Sequence, residues 1–487
     1  MVKVGASEPL VASEDDEPLY VSHRKIYPKA VAGRFRTIKT ALLVITLGIY
    51  YGLPFVRWER GINAPDQAVL IDFSSSRFYF FFIEIWPQEV YYLTGLLILA
   101  SLALFLMNAL AGRIWCGYLC PQTVWTDLFL FVERKIEGDR VERIRRDNGP
   151  WTFDKVARKT AKHFIWLAIA WWTGGAWILY FADAPTIVKQ LATFQAPAIA
   201  WITIGILTFT TYTLAGLMRE QVCIYMCPWP RIQAALTDEH ALNVTYRYDR
   251  GEPRNTLKAA ERLRAEGQPA GDCIDCNQCV WACPTGVDIR LGSQLDCIQC
   301  GLCIDACDTI MRKIDRPTGL IAYDNDINVR RREQGLPNVF RFFRARTVLY
   351  AGLIIAVSVV MIASLALRTD LGVAVIHDRN PVYVKLSSGA IRNAYTIRLI
   401  NKEHEKRSFL ISVDGLAGAD FEIVGVTLRD LYGRWIVQVE PDQTQEFRML
   451  VTTKAVLPPD ASVPLRIRIS DLANSKSATA SAHFRGP

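Results

Sequence analysis

Cysteine is missing from the first 115 residues and from everything after residue 307 of this 487-residue chain. Its twelve cysteines all fall in four short motifs. The C-terminal part therefore has no disulfide framework and must rest on its core alone. Three further signatures are missing: C-x-x-C-H, G-x4-G-K-[ST] and G-x-G-x-x-G. Their absence excludes recognisable sites for covalent haem, nucleotide hydrolysis and dinucleotides. Electrons handled by this chain must come from a separate protein or a quinol. No cleavable signal peptide is visible either. The first 39 residues are polar, carry the acidic stretch "SEDDEPLY" and offer no small-residue cleavage site. This arm is expected to be disordered up to about Pro18.

What is present is a mixed composition. Apolar side chains make up 51% of the chain, too many for an ordinary soluble enzyme, while 21% charged residues are too many for membrane helices alone. Several spans plus soluble modules follow. Five runs are long enough to cross a bilayer, over about 40–56, 89–110, 163–182, 197–218 and 347–367. The aromatic run "RFYFFFIEIW" (77–86) is too short, and Glu84 and Pro87 suggest an interfacial or re-entrant segment. The arm before 40, the connection 111–162 and the stretch before 347 are rich in Lys and Arg, whereas the loop 183–196 holds only Lys189. With five spans every basic segment falls on one side, so the N-terminus is expected in the cytoplasm and the tail from about 368 in the periplasm. The net charge of +8 is accounted for by this bias and by anionic lipid, not by nucleic acid.

Between 219 and 346 lie "CIDCNQCVWACP" (273–284) and "CIQCGLCIDACD" (297–308), each C-x2-C-x2-C-x3-C. That is the spacing of two-cluster ferredoxins, in which the fourth cysteine of each run serves the other cluster. Cys273, Cys276, Cys279 and Cys307 are assigned to one [4Fe–4S] cluster. Cys297, Cys300, Cys303 and Cys283 are assigned to the other. Zinc needs only four thiolates, and disulfides are disfavoured in a reducing cytoplasm. Asp308 stands where a proline usually follows the last cysteine, which is expected to alter the local turn rather than ligation.

The remaining four thiols form a repeat. "WCGYLCPQTVW" (115–125) and "VCIYMCPWPRI" (222–232) each follow two expected spans, which puts both pairs at one depth. Cys116 and Cys120, like Cys223 and Cys227, are four apart and are expected on one helix face, with Pro121 and Pro228 kinking or ending each helix beyond its pair. Two or more thiolates favour Cu(I) over Cu(II), and Met218 or Met226 lies near enough in sequence to add a thioether. Buried inert thiols and a membrane iron–sulfur cluster on the same four residues are the alternatives. His163 is a ligand, a quinone contact or simply an interfacial histidine.

Residues 381–486 alternate apolar and polar in seven or eight short strands, which suggests an immunoglobulin-like sandwich. His377, His404 and His483 are scattered there, without a catalytic constellation. "SSGAI" (387–391) has Ile391 where a covalent flavin site needs Thr, so that reading is rejected.

Two membrane Cys-x3-Cys-Pro elements, a two-cluster ferredoxin insert, a last span and a sandwich tail, in that order, resemble the CcoG family, also called FixG or RdxA. The resemblance covers the chain from about residue 30 onward. It implies an accessory protein of cbb3-type cytochrome c oxidase in the bacterial inner membrane, reducing Cu(II) to Cu(I) before delivery to copper-carrying and oxidase-assembly partners. Copper would then meet Cys116, Cys120, Cys223 and Cys227. More distant relatives with the same membrane motif, the quinol dehydrogenases of the NapH and NosR type, imply the alternative of quinol oxidation toward a periplasmic reductase. The expected architecture is a cytoplasmic arm (1–36), a four-helix transmembrane region (37–218), a cytoplasmic ferredoxin-like domain (219–346), a fifth transmembrane helix (347–367) and a periplasmic immunoglobulin-like domain (368–487).

Overall fold

Among the described residues, four apolar stretches form helices long and apolar enough to cross a bilayer: Arg34–Phe55, Pro87–Ala111, Ala198–Met218 and Ala345–Ala366. A helix satisfies its backbone polar groups internally, so its side chains can face lipid directly. On Ala345–Ala366 none of the apolar window is buried, and Val348, Leu349, Ile355, Val359, Val360 and Ile362 are all exposed. Bare apolar surface of that extent belongs in a membrane. The computed structural model describes residues 25–486 except 62–63, 369–370, 404, 417, 442, 456–457, 459–460 and 475. The expected disorder up to Pro18 and the position of His404 lie outside the described residues.

Two expected segments have a local structure that the sequence did not show. The run 163–182 falls on a helix, Phe153–Ile178, that is not among the four membrane-length apolar helices. Its first turns carry Lys155, Arg158, Lys159 and Lys162, and Trp166, Trp171, Trp172 and Trp177 replace aliphatic residues further on. The aromatic run 77–86, expected as an interfacial or re-entrant segment, forms part of a three-stranded antiparallel sheet, Val69–Asp72, Arg77–Phe80 and Ile83–Ile85. Alternation explains it: Arg77 and Tyr79 point inward along one strand, and Glu84 meets Arg77 at 3.2 Å, so neither buried charge is left alone.

The chain divides into two units. The first collects the chain up to Leu53, Leu96–Leu179 and Lys189–Ile355, and it holds all twelve cysteines. Its ferredoxin part pairs Asn243–Tyr246 with Ile321–Asp324, next to the helices Gln278–Ala282 and Leu302–Lys313. A buried carboxylate organises the helices beside it. Glu133, on Pro121–Glu137, meets Arg143 at 2.8 Å, Arg219 at 2.9 Å and Lys162 at 3.3 Å. These partners come from three further segments, so one side chain ties four pieces of backbone.

The second unit collects Pro54–Gly95, Tyr180–Val188 and the chain from Ala356. It contains a nine-stranded antiparallel sandwich. One sheet runs Ala419–Ile423, Gln443–Thr453, Ile391–Asn401, Leu371–His377, with Val384–Lys385 beside Ile391–Asn401. The other runs Ile436–Val439, Arg407–Asp414, Ser462–Asp471, Ser477–Arg485. Alternate residues Ile391, Tyr395, Ile397 and Leu399 from one sheet meet Phe409, Ile411, Leu465, Ile467 and Phe484 from the other. The sandwich starts at Leu371, ten residues before the alternation became legible. His377 packs edge-on against Tyr395 at 4.9 Å, and His483 offers its carbonyl to the Tyr395 hydroxyl at 3.0 Å. Both act as structural residues there.

Burial alone would raise the Glu133 carboxyl, but Arg219, Lys162 and Arg143 outweigh it and hold it at about 2, down from 4.5. A depressed folded value contributes stability that is complete above about 4.5 and lost as pH falls toward 2. Glu133→Gln removes the carboxylate these cations share and should cost about 3–5 kcal/mol. The expected readout is a lower unfolding temperature of the intact chain in detergent at neutral pH, with the difference from wild type shrinking on acidification. Equal unfolding temperatures at neutral pH would contradict this clamp.

Candidate functional site

The two ferredoxin loops share one backbone device. Asp275 and Asn277 have φ of 53° and 56°, and the equivalent Gln299 and Gly301 have 54° and 72°. Left-handed residues on either side of a cysteine turn successive amide N–H groups toward one concavity, a nest suited to an anionic group such as an iron–sulfur cluster. At Gly301 there is also no room for a side chain, since a Cβ would lie 2.8 Å from Phe35 Cγ. The fourth cysteines lie crosswise. Cys307 has Cys279, Cys273 and Cys276 as its electrostatic neighbours. Cys283 acts on Cys297, Cys300 and Cys303. Cys307 with Cys273, Cys276 and Cys279 is called the distal set below, and Cys283 with Cys297, Cys300 and Cys303, the set nearer Cys116, the proximal set.

All twelve cysteines are free of disulfides. Among the described residues no three His, Cys, Asp or Glu side chains converge closely enough to hold one metal ion. A zinc ion would need four thiolates about 2.3 Å from a single point, whereas a cubane takes one thiolate at each of four separate irons. Burial pushes the Cys279 and Cys297 thiols up to about 12. They become thiolates at neutral pH only beside a strong positive charge, which bound iron provides. The residues fit the clusters.

Proline explains why one fourth cysteine differs from the other. Cys283 precedes Pro284 and is extended (φ −71°, ψ 124°), ending its helix. Cys307 precedes Asp308 and stays inside Leu302–Lys313. Asp308 instead accepts from the Gly319 amide at 2.8 Å, tying the helix to the following turn.

The membrane thiols depart from the expected geometry. Cys116 is buried on Ile114–Tyr118, but Cys120 is the extended residue capping the next helix, Pro121–Glu137. Cys223 sits in a π-helical turn, Val222–Met226, and Cys227 is again extended before Pro228. The helix therefore breaks within each pair rather than beyond it, because the residue before a proline is driven out of the helical region. The pairs do not share one helix face, and although the four thiols stand within electrostatic reach of one another, no three of them converge on a single metal position. Cys116 is influenced by Cys120 and Cys227, and Cys223 by Cys120, Cys116 and Cys227. Burial, reinforced by these neighbours, pushes Cys116 to about 11 and Cys223 to about 12. Met218 ends the preceding π-helical segment, Tyr212–Met218, and Met226 is exposed. π-helical turns are rare and recur at functional sites. His163 is turned elsewhere, sharing a 2.9 Å hydrogen bond between its Nδ1 and the Tyr212 hydroxyl. It borders an open cavity of about 500 Å³ lined by Trp151, Val156, Lys159, Phe164 and Leu167.

The proximal set touches the membrane thiols. Cys116 and Cys300 belong to one apolar cluster with Ile298, Leu302 and Trp229. Gly117 permits this approach: a Cβ there would lie 2.7 Å from the Ile298 carbonyl oxygen and 3.0 Å from Cys300 Cα. The Tyr118 hydroxyl donates to the Cys300 carbonyl at 2.9 Å, and the Arg113 amide donates to Gln299 Oε1 at 2.8 Å. Gln299 in turn donates to Asn243 and accepts from Tyr323 through its carbonyl. Sequence reasoning missed Arg113, Gly117, Tyr118 and Gln299. The one available signal was a glycine directly after the first membrane cysteine.

Asp308→Pro should force Cys307 out of its helix and cost about 3 kcal/mol or more. The expected result is loss of iron bound through Cys307 after anaerobic purification, with Asp308→Ala retaining it. Full iron content in Asp308→Pro would show that the continuous helix is not required.

Comparison with known proteins agrees with this geometry. A family profile described as a 4Fe-4S dicluster domain matches residues 218–326, and one described as a 4Fe-4S binding domain matches 93–137. A third, described as the IG-like fold at the C-terminal of FixG, matches 361–487. The chain is 48% identical over 462 residues to nitrogen fixation protein FixG of Rhizobium meliloti, covering 89% of this chain and 87% of that protein. It is 50% identical over 478 residues to protein RdxA of Cereibacter sphaeroides, covering 96% and 99%. With protein RdxB of the same organism it shares 46% identity over 473 residues, covering 96% and 97%. These matches extend from the membrane helices through both cluster loops to the sandwich. The chain belongs to the FixG/RdxA family and is a membrane-associated iron–sulfur electron-transfer protein.

Proposed function

We propose that this protein is a cupric reductase of the bacterial inner membrane that serves assembly of cbb3-type cytochrome c oxidase. In this reading the distal and proximal sets each hold a [4Fe–4S] cluster, and Cu(II) is the substrate of Cys116, Cys120, Cys223 and Cys227. The clusters, when bound, supply single electrons. The chain's own residues do the rest. Gly117 and Tyr118 hold the membrane turn against the proximal loop, and Gln233 accepts from Cys116 Sγ at 3.3 Å, fixing that thiol. Soft thiolates bind the reduced ion more tightly, which raises the copper couple and favours reduction. The observation that carries this reading is the shared apolar cluster of Cys116 and Cys300. Copper-delivery and oxidase-assembly proteins are the receivers, and a cytoplasmic protein or a quinol is the donor.

The same reading takes Phe153–Ile178 as a fifth span, with Trp171, Trp172 and Trp177 on its exposed face and Trp166 packed inward against Phe129. It keeps the domain limits at 1–36, 37–218, 219–346, 347–367 and 368–487, with the N-terminus in the cytoplasm and the sandwich in the periplasm. Reporter fusions should then be cytoplasmic near residues 140 and 290 and periplasmic near 190 and 430. A periplasmic fusion near 290 would expose the clusters to an oxidising compartment and end the proposal.

A second reading, quinol oxidation toward a periplasmic reductase, draws on the cavity beside His163 and Tyr212. A third, a further cluster on the membrane thiols, draws on the iron–sulfur profile that spans Cys116 and Cys120. One set of measurements separates them. The copper reading predicts about eight irons per chain. It also predicts that replacing Cys120 and Cys227 by Ser abolishes Cu(II) reduction and weakens Cu(I) binding, while a one-electron dye still oxidises or reduces the clusters. Iron near twelve supports the third reading, and rapid cluster reduction by a quinol analogue with copper irrelevant supports the second. Unaltered copper binding and reduction in the double variant would remove these thiols from the mechanism.

A further inference from the structure

Lys39 lies in the first long apolar helix, Arg34–Gly52, yet only 4% of it is exposed. An ionisable residue buried in such a helix is costly and calls for a function. It sits one turn beyond Phe35, whose ring closes on Gly301 and meets Tyr323 at 5.4 Å. The Phe35 and Arg36 amides donate to Asp305 at 3.2 and 2.7 Å, so the start of this helix is fixed to the proximal loop. Lys39 itself borders a small cavity of about 30 Å³ together with Asp127, Cys223, Pro284, Thr285 and Ile298. Lys39 therefore shares one small cavity with a membrane thiol, Cys223, and with Ile298 of the proximal loop.

Its electrostatic neighbours are Cys300 and Asp127. Asp127 is itself held by Arg36 at 2.8 Å, and Arg113 adds a second cation facing Cys297. The distal set has the opposite balance. Arg290 is the foremost charge on Cys279, ahead of Asp288, but it is paired with Asp288 and Asp275, and Asp308 acts on Cys307, so three carboxylates accompany one guanidinium there.

We propose that Lys39 gives the proximal cluster the higher reduction potential of the two, so that electrons entering at the distal cluster run inward to the membrane thiols. This rests on the two-cluster reading above. Reduction adds one negative charge to a cluster. A buried cation beside it stabilises that charge, and a carboxylate opposes it, both more strongly than in water. The transfer moves one electron from the reduced distal cluster to the oxidised proximal one. No bond forms or breaks and no proton moves, and a one-electron protein donor or a quinol replenishes the distal side. Lys39 acts through its field, as a positioning residue.

The test is an anaerobic potentiometric titration of the full-length protein followed by electron paramagnetic resonance. Wild type should show two one-electron steps, and Cys276→Ser should disturb the lower step while keeping the upper. Lys39→Met should lower the upper step alone, and Lys39→Arg should leave it near wild type. Asp127→Asn should raise that same step, and it carries the test if Lys39→Met does not assemble. The proposal is overturned if Lys39→Met leaves the upper step in place or lowers both equally, or if Asp127→Asn fails to raise it. Wild-type protein with far fewer than about eight irons would defeat the two-cluster reading instead, a result that no shift in potential can imitate.

Discussion

A missing Cβ at Gly117 is the constraint on which the proposed electron route depends. The first membrane cysteine and the proximal loop come together only because residue 117 presents bare backbone to Ile298 and Cys300. Tyr118 then locks the approach with a hydrogen bond to Cys300, and Arg113 does so with one to Gln299. The ferredoxin insert is therefore a fixed part of the wall behind the membrane thiols. Its left-handed residue Gln299 serves both purposes, shaping the cluster loop and offering its side-chain oxygen to the membrane turn.

Buried charge is the second organising theme, and several buried carboxylates are paired across separate segments. Glu133 gathers Arg143, Lys162 and Arg219 from separate segments, and Asp305 receives the two amides at the start of the first long helix. A buried ion pair contributes little net stability against an apolar replacement, but losing one partner is expensive. Such pairs therefore fix the arrangement of the helices more than they strengthen it. That matters here because the thiol sets sit on short turns that would otherwise be free to shift.

The sequence was legible wherever a period or a spacing carries the information. The eight ferredoxin cysteines have a fixed spacing, four of the apolar runs have membrane length, and the tail alternates with period two. It was less legible where one residue redirects the backbone. Cys120 and Cys227 look like helix-face partners of Cys116 and Cys223 until Pro121 and Pro228 push them into extended conformations. Phe153–Ile178 holds the expected run 163–182, but its lysines and tryptophans leave it less apolar than the four membrane-length helices. The strand Leu371–His377 and the hairpin containing Arg77 were missed because pairing with distant strands decides them. Contacts such as Tyr118 to Cys300, 182 positions apart, leave no trace in a single sequence.

The central claim is that electrons leave the proximal cluster through the turn at Gly117. Gly117→Leu tests it, because the added side chain must separate that turn from Ile298 and Cys300. The measurement is the rate at which Cu(II) reoxidises the anaerobically prereduced clusters after rapid mixing, followed by cluster absorbance. The account predicts full iron content, normal reduction by dithionite, and reoxidation slowed on the order of tenfold or more, as expected when reacting partners are displaced. Reoxidation at the wild-type rate with iron intact would contradict it.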